Sequence, residues 1–172
     1  LSQKVETNED LVQVVRDLEW KITQKEADIS STERSLSEQN TSLSENESEL
    51  TQKTTRIGEI NKTVSDNQGK IGKNNQEITS IDTQIKNLQK ESAESTESSS
   101  SSNTSKNAEK IKALETRKAT LQKEIQTLNA ANKKLSDEKI PLEARQKELQ
   151  NTIIPRIKEE ITKLTELKEE QE

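Results

Sequence analysis

The chain has 172 residues, a formal net charge of −5 and a hydrophobic fraction of only 26%, and Trp20 is its one aromatic residue. This composition cannot build an ordinary globular core, so folding must bury a narrow stripe of side chains. Cysteine and histidine are absent, which excludes disulfides, thiolate or imidazole metal sites, and Cys-His or Ser-His nucleophile pairs. No apolar run approaches the ~20 residues that span a bilayer, so no membrane insertion is expected.

Residues 1–26 are the most apolar stretch of the chain and are predicted to be a helical overhang. The second half of the chain, in the register given below, reaches back only to about Ala27. Unpaired apolar patches on such chains usually meet another protein, although fraying or local folding back is the alternative. The candidate assembly contacts are Leu11, Val15, Leu18, Trp20 and Ile22.

A first coiled-coil helix is predicted over residues 8–90. An aliphatic residue recurs at every seventh position from Val15 to Ile85. This period is typical of helices that supercoil left-handedly, because 3.6 residues per turn drifts against a strict heptad. Seven of the eleven positions that lie three residues after these are polar, so the helix should associate only weakly by itself.

A Ser-rich segment, residues 91–107, is predicted to be a loop. It has no aliphatic side chain larger than that of Ala93, and serine competes for its own backbone groups.

A second coiled-coil helix is predicted over residues 106–172, with leucine at every seventh position from Leu114 to Leu149. The apolar pattern then slips by one residue to Ile154. We expect kinks or short breaks near Pro141 and Pro155, because proline removes a backbone donor and crowds the preceding turn.

The two ladders predict an all-α fold, a long antiparallel helical hairpin coiled coil with a Ser-rich loop. If Ile85 faces Leu114, paired residue numbers add up to 199 and six wholly aliphatic layers result. The same register pairs Asn67 with Asn132, which we expect to lock it, since two buried amides satisfy each other and penalise slipped pairings. The core ladder comprises Leu50, Ile57, Val64, Ile71, Ile78, Ile85, Leu114, Leu121, Leu128, Leu135, Leu142 and Leu149.

One alternative register stays open, in which paired numbers add up to 206. It would pair Ile81 with Ile125 but leave Leu114 facing the serine segment. Gly69 and Gly72 lie opposite a pair of alanines in the preferred register, which indicates either a close backbone approach or simply a weaker helix.

Other classes of function have little support. Serines and carboxylates on solvated helix faces rarely form catalytic sites, so we expect no enzyme and no cofactor. Nucleic-acid binding is disfavoured by the net charge and the lack of stacking aromatics. Acidic clusters such as Glu45, Glu47 and Glu49 would bind calcium weakly at most, and a solvated charged face is the simpler interpretation.

In composition and heptad pattern the chain resembles the coiled-coil lattice proteins of ciliate secretory granules, the trichocyst and mucocyst matrix family. That family consists of small, cysteine-poor helical chains cut from precursors, which fits a sequence without methionine, although a fragment is equally open. The resemblance implies a structural protein that assembles with itself or paralogous chains into a filament, lattice or granule matrix, located in a secretory granule or outside the cell.

Two alternatives remain. The chain is also similar in style to the coiled-coil stalk of a cell-surface adhesin, in which polar core layers create local instability that a ligand selects. The other alternative is a fragment of an intracellular tether or cytoskeletal scaffold.

Overall fold

The structure is a computed structural model that describes the backbone of residues 2–94 and 100–172 and the side chains of residues 7–94 and 104–172. Helix α1 spans Ser2–Glu94 and helix α2 spans Ser100–Glu148. A five-residue π-helical turn, Leu149–Ile153, joins α2 to helix α3, Ile154–Gln171. The prediction of an all-α chain is confirmed for these residues.

The two long helices pack in a hairpin-like manner, and the chain divides into two compact units. One unit comprises residues 1–54 and 144–172, and the other comprises residues 55–143. In both, buried and half-buried positions recur along α1 at alternating steps of three and four residues from Ile29 to Ser92. This is the stripe that a helix presents to one neighbouring helix.

In the unit of residues 55–143, four aliphatic side chains are buried: Ile57, Ile60, Ile81 and Leu121. The other ladder positions of this unit are half-buried, as expected when two helices cover each other on one side only. These positions are Val64, Ile71, Ile78, Ile85, Leu114, Leu128, Leu135 and Leu142.

Ile60 is buried although its counterpart in the expected register is Lys139. The Lys139 ammonium forms an ion pair with Glu143, with Nζ 3.3 Å from Oε1. A lysine whose head reaches outward in this way can lay its methylene stem over an apolar neighbour. The burial of Ile60 is consistent with that arrangement.

The predicted loop of residues 91–107 is too wide, because α1 continues to Glu94 and α2 begins at Ser100. Within the predicted loop, the backbone of residues 95–99 and the side chains of residues 95–103 lie outside the described part of the chain. Asn107 is buried, and its Nδ2 donates a hydrogen bond to Ser92 Oγ at 3.2 Å. A polar layer thus extends the stripe where no aliphatic residue is present. Each serine lowers helix stability by only about 0.5 kcal/mol relative to alanine.

In the unit of residues 1–54 and 144–172, the buried side chains include Leu149, Ile154, Ile157 and Thr32, and Leu50 is half-buried. The π turn accounts for the one-residue slip in the sequence pattern. Its last hydrogen bond runs from the Ile154 N–H to the Leu149 carbonyl, five residues back. A turn that takes in one extra residue keeps Ile154 on the same face as Leu149.

The predicted disturbances at the two prolines have different outcomes. Helix α2 continues through Pro141, which lies on its exposed side, where water can satisfy the freed carbonyl group. Pro155 is at the start of α3, immediately after the π turn. The widened turn therefore precedes the proline that would otherwise press on the carbonyl four residues back.

The glycines do not mark a close approach of two backbones. A Cβ atom added at Gly69 or Gly72 would meet nothing within 4 Å. Of the two interpretations of these residues, the structure favours the simpler one, that they only weaken the helix.

Candidate functional site

The N-terminal part of α1 carries a set of large apolar side chains that are exposed. All side chains described between Thr7 and Asp28 are exposed. Four of the predicted assembly contacts, Leu11, Val15, Leu18 and Ile22, are 51–57% exposed. They occupy the same two heptad positions that form the buried stripe further along α1, so together they form one unpaired apolar face, which we call the N-terminal seam.

Trp20 does not join the other four residues. It lies two residues after Leu18, about 200° around the helix, and at 65% it is more exposed than any of them. Val12 and Val14, which the sequence analysis left out, flank the seam and are each 52% exposed. Their positions directly beside the heptad residues Leu11 and Val15 are the signal that could have identified them.

Helix α3 contacts the stripe of α1 beside Thr32. The Thr32 hydroxyl lies 2.9 Å from the Asp28 carbonyl and 3.0 Å from Gln171 Oε1. One residue later, Lys168 Nζ lies 3.5 Å from Glu33 Oε1. From Ile29 onward the α1 stripe is covered, and before that residue it is open.

The predicted register layer is present as a direct contact. Asn67 Nδ2 donates a hydrogen bond to Asn132 Oδ1 at 2.8 Å, and Asn67 is only 8% exposed. Asn74, one heptad further along α1, differs, because its Nδ2 is buried and has no hydrogen-bond partner among the described residues. The two asparagines occupy equivalent positions, but only one of them has a matching amide.

We expect Asn67→Ala to lower the free energy of unfolding relative to Asn74→Ala. Asn67→Ala removes a hydrogen bond and leaves the Asn132 carbonyl without its donor, whereas Asn74→Ala removes an unpaired buried amide. Alanine favours the helix equally at both sites, so the free energies of unfolding should differ by about 1–3 kcal/mol. Urea denaturation of both variants measures this difference, and equal stabilities would contradict it.

The role of the Asn67–Asn132 layer in fixing the register needs a separate variant. Asn67→Leu combined with Asn132→Leu should raise the melting temperature while allowing more than one pairing. Distances between spin labels on α1 and α2 would then broaden into several populations. A destabilised protein that keeps a single register would argue against the lock.

Among the described residues, three arginine–glutamate pairs connect the helices within the units, and the heptad pattern did not predict them. Arg145 pairs with Glu49 through Nε at 2.7 Å, Arg56 with Glu138 through Nε at 2.8 Å, and Arg117 with Glu77 through Nε at 3.0 Å. In each pair the numbers add up to 194, five below the register sum. Each of these residues directly precedes a residue of the stripe, and that placement was visible in the sequence.

Two of these ion pairs lower the pKa of their carboxylates. The hydrogen bond from Arg145 lowers the pKa of Glu49, and the hydrogen bond from Arg56 lowers the pKa of Glu138. A carboxylate whose pKa is lower in the folded state stabilises the fold above its unfolded pKa, and this stabilisation is lost as the pH falls through the folded value.

We therefore expect Glu49→Gln to reduce the acid sensitivity of the protein. Below the ordinary glutamate pKa of about 4.3, the parent chain loses the contribution of Glu49, and the variant has none to lose. Denaturation midpoints measured from neutral pH down to this range test the prediction. Glu45→Gln removes an exposed carboxylate one turn earlier that has no ion pair among the described residues, and it is the matched control for the change in net charge.

Two kinds of site are not found among the described residues. Within residues 2–94 and 100–172, no helix is both long enough and apolar enough to cross a membrane. Among the described side chains, those of residues 7–94 and 104–172, no group of three or more acidic residues is arranged to hold a metal ion.

Comparison with known proteins identifies no relative of the chain. The comparisons found no match among protein-family models, curated proteins or solved structures. The contacts of the chain itself are therefore the basis for proposing a function.

Proposed function

We propose that the chain is an antiparallel coiled-coil hairpin that serves as a structural protein and assembles through its N-terminal seam. The observation that carries the proposal is the seam itself: four aliphatic residues on one face, each more than half exposed, on a helix whose remaining stripe is covered. Exposed apolar faces of this kind mark protein–protein contacts. Trp20, on the other side of the helix, offers a second contact for lateral association.

The interhelical contacts support the antiparallel arrangement. In the unit of residues 55–143, the partner numbers fall as the α1 numbers rise, from Arg56–Glu138 through Asn67–Asn132 to Ser92–Asn107. The nearly constant sums are what two helices running in opposite directions produce. The alternation of three- and four-residue steps along the stripe supports a coiled coil.

The proposed product of assembly is a filament, lattice or matrix built from copies of this chain or from paralogous chains. The resemblance in composition to granule matrix proteins supports a secretory-granule or extracellular location. The seam supports association directly, whereas the location rests on the resemblance alone.

Ile22→Asp tests the proposal, with Thr23→Asp as the matched control. Both substitutions add one carboxylate to the exposed part of α1, but only Ile22 belongs to the seam. Ile22→Asp should lower the mass measured by light scattering while the circular dichroism keeps its helical signal, and Thr23→Asp should change neither. A deletion of residues 1–26 should have the same effect as Ile22→Asp. A mass unchanged by the seam variants would refute assembly through this surface.

An adhesin stalk is the second candidate, favoured by the unpaired amide of Asn74 in the stripe. Such a layer opens more readily than an aliphatic one, and a ligand can select the opened state. If the full chain binds a ligand but does not associate with itself, this candidate is supported over the lattice protein.

A further inference from the structure

The N-terminal seam is complementary to a second copy of itself. We propose that two copies of this chain pair through residues 8–25 of α1, running antiparallel with paired residue numbers that add up to 33. This inference rests on the proposed assembly function and specifies its partner, direction and register.

The direction follows from what already covers α1. From Thr32 onward the stripe is covered by α3, as the contact with Gln171 shows. A second copy running parallel on the seam would continue into the space that α3 occupies. A copy running antiparallel leads away from α3 after its residue 25 and brings its residues 1–4 opposite residues 29–32, so this direction overlaps α3 over a far shorter stretch than the parallel one.

The register follows from the order of side chains along the seam. With numbers that add up to 33, Leu11 faces Ile22 of the second copy, and Val15 faces Leu18. By the two-fold symmetry these contacts occur twice, which gives four consecutive aliphatic layers. Asn8 and Lys25 face each other at both ends, so the polar residues lie where water can reach them.

Slipped registers are poorer. A shift of one heptad in one direction brings Ile22 opposite Lys4 and Leu18 opposite Asn8 of the second copy, which leaves two aliphatic layers instead of four. A shift in the other direction brings Leu11 opposite Ile29, which lies in the covered part of the stripe. A parallel pairing would also bring Lys25 against its own copy, and two lysines in one layer repel each other.

The flank of the seam agrees with the symmetry. Inside the hairpin, residues that directly precede a stripe residue meet each other at five below the register sum, as Glu49 and Arg145 do. Transferred to the seam, this rule brings Val14 against Val14 of the second copy. A charge at that place would repel itself, whereas valine adds an apolar contact to the core.

The opposite flank contains one like-charge contact, and this contact distinguishes the antiparallel pairing from a parallel one. Glu19 directly follows Leu18. On this flank the facing residue numbers add up to 38, five above the register sum, so Glu19 faces Glu19 of the second copy. Two carboxylates there repel each other, so the dimer should dissociate on dilution. In a parallel pair, Glu19 would lie beside Val14 and would make no contact with its own copy.

The test uses the full chain and a Glu19→Lys variant that carries a different mass label. In a dimer of either protein alone, residue 19 faces a like charge. In a mixed dimer, the lysine of the variant faces Glu19 of the parent chain. Native mass spectrometry of an equal mixture should show mixed pairs several-fold in excess over either like pair. Glu9→Lys, on the outer side of the same segment, is the control and should mix statistically with the parent chain.

The outcomes separate this inference from the proposed function. If the parent chain dimerises and Ile22→Asp abolishes the dimer, but Glu19→Lys mixes statistically, the antiparallel register is wrong and assembly through the seam stands. If the parent chain remains monomeric at every concentration, this inference and self-assembly through the seam both fail. Preferential mixed pairs that Ile22→Asp abolishes support both.

Discussion

Replacing Ile60 with alanine should lower the free energy of unfolding by about 2–5 kcal/mol, the usual loss when a buried aliphatic side chain is truncated. Ile60 is only 1% exposed, whereas Ile140, in the same compact unit, is 66% exposed. Ile140→Ala is therefore the matched control. It removes the same atoms and should change stability by less than about 0.5 kcal/mol.

The Ile60 variant is informative because its expected counterpart is a lysine. If the Lys139 stem did not cover Ile60, the layer would be open to water and the two alanine variants would behave alike. Chemical denaturation of Ile60→Ala and Ile140→Ala measures the contrast. Equal midpoints would show that a half-polar layer contributes nothing to stability.

Removing Asn151 from the π turn should couple strongly to Pro155. The deletion returns the stripe to an unbroken heptad, so the turn can close as an ordinary α-helix. Pro155 would then press on the carbonyl four residues back, at a cost of about 3 kcal/mol. We expect Pro155→Ala to recover most of this loss in the deletion background and to have a smaller effect in the full chain.

A double-mutant cycle on the free energy of unfolding tests this coupling. A deletion of Lys123, another exposed residue, is the control. It rotates everything after it by about 100°, has no compensating slip in the sequence, and should abolish the pairing. If Pro155→Ala changes the free energy of unfolding equally in the full chain and in the Asn151 deletion, the π turn does not accommodate the proline.

The regular parts of the fold could be predicted from the sequence because heptads report directly on which face of a helix is buried. The pairing of Asn67 with Asn132 followed from one choice of register. The extension of helix into the serine-rich segment did not, because the segment has no large aliphatic residue to bury and the contact between Ser92 and Asn107 that extends the stripe is polar.

The sequence predicted the position of the π turn near Pro155 but not its type. The one-residue slip from Leu149 to Ile154 marked the place, but a slip can be absorbed by a kink, a break or a widened turn. The choice depends on local backbone geometry. The unpaired amide of Asn74 was equally hidden, because a sequence pattern shows which residues share a layer but not which of their atoms meet.

The separations between contacting residues bear on how the protein folds. Ser92 and Asn107 are 15 residues apart, whereas Thr32 and Gln171 are 139 apart. Closing the longer loop first would cost about 2 kcal/mol more in chain entropy, so pairing should begin near the serine-rich segment and proceed outward. The contacts of Thr32 would then form last and open first. The N-terminal seam thus lies next to the part of the covered stripe that should open most often.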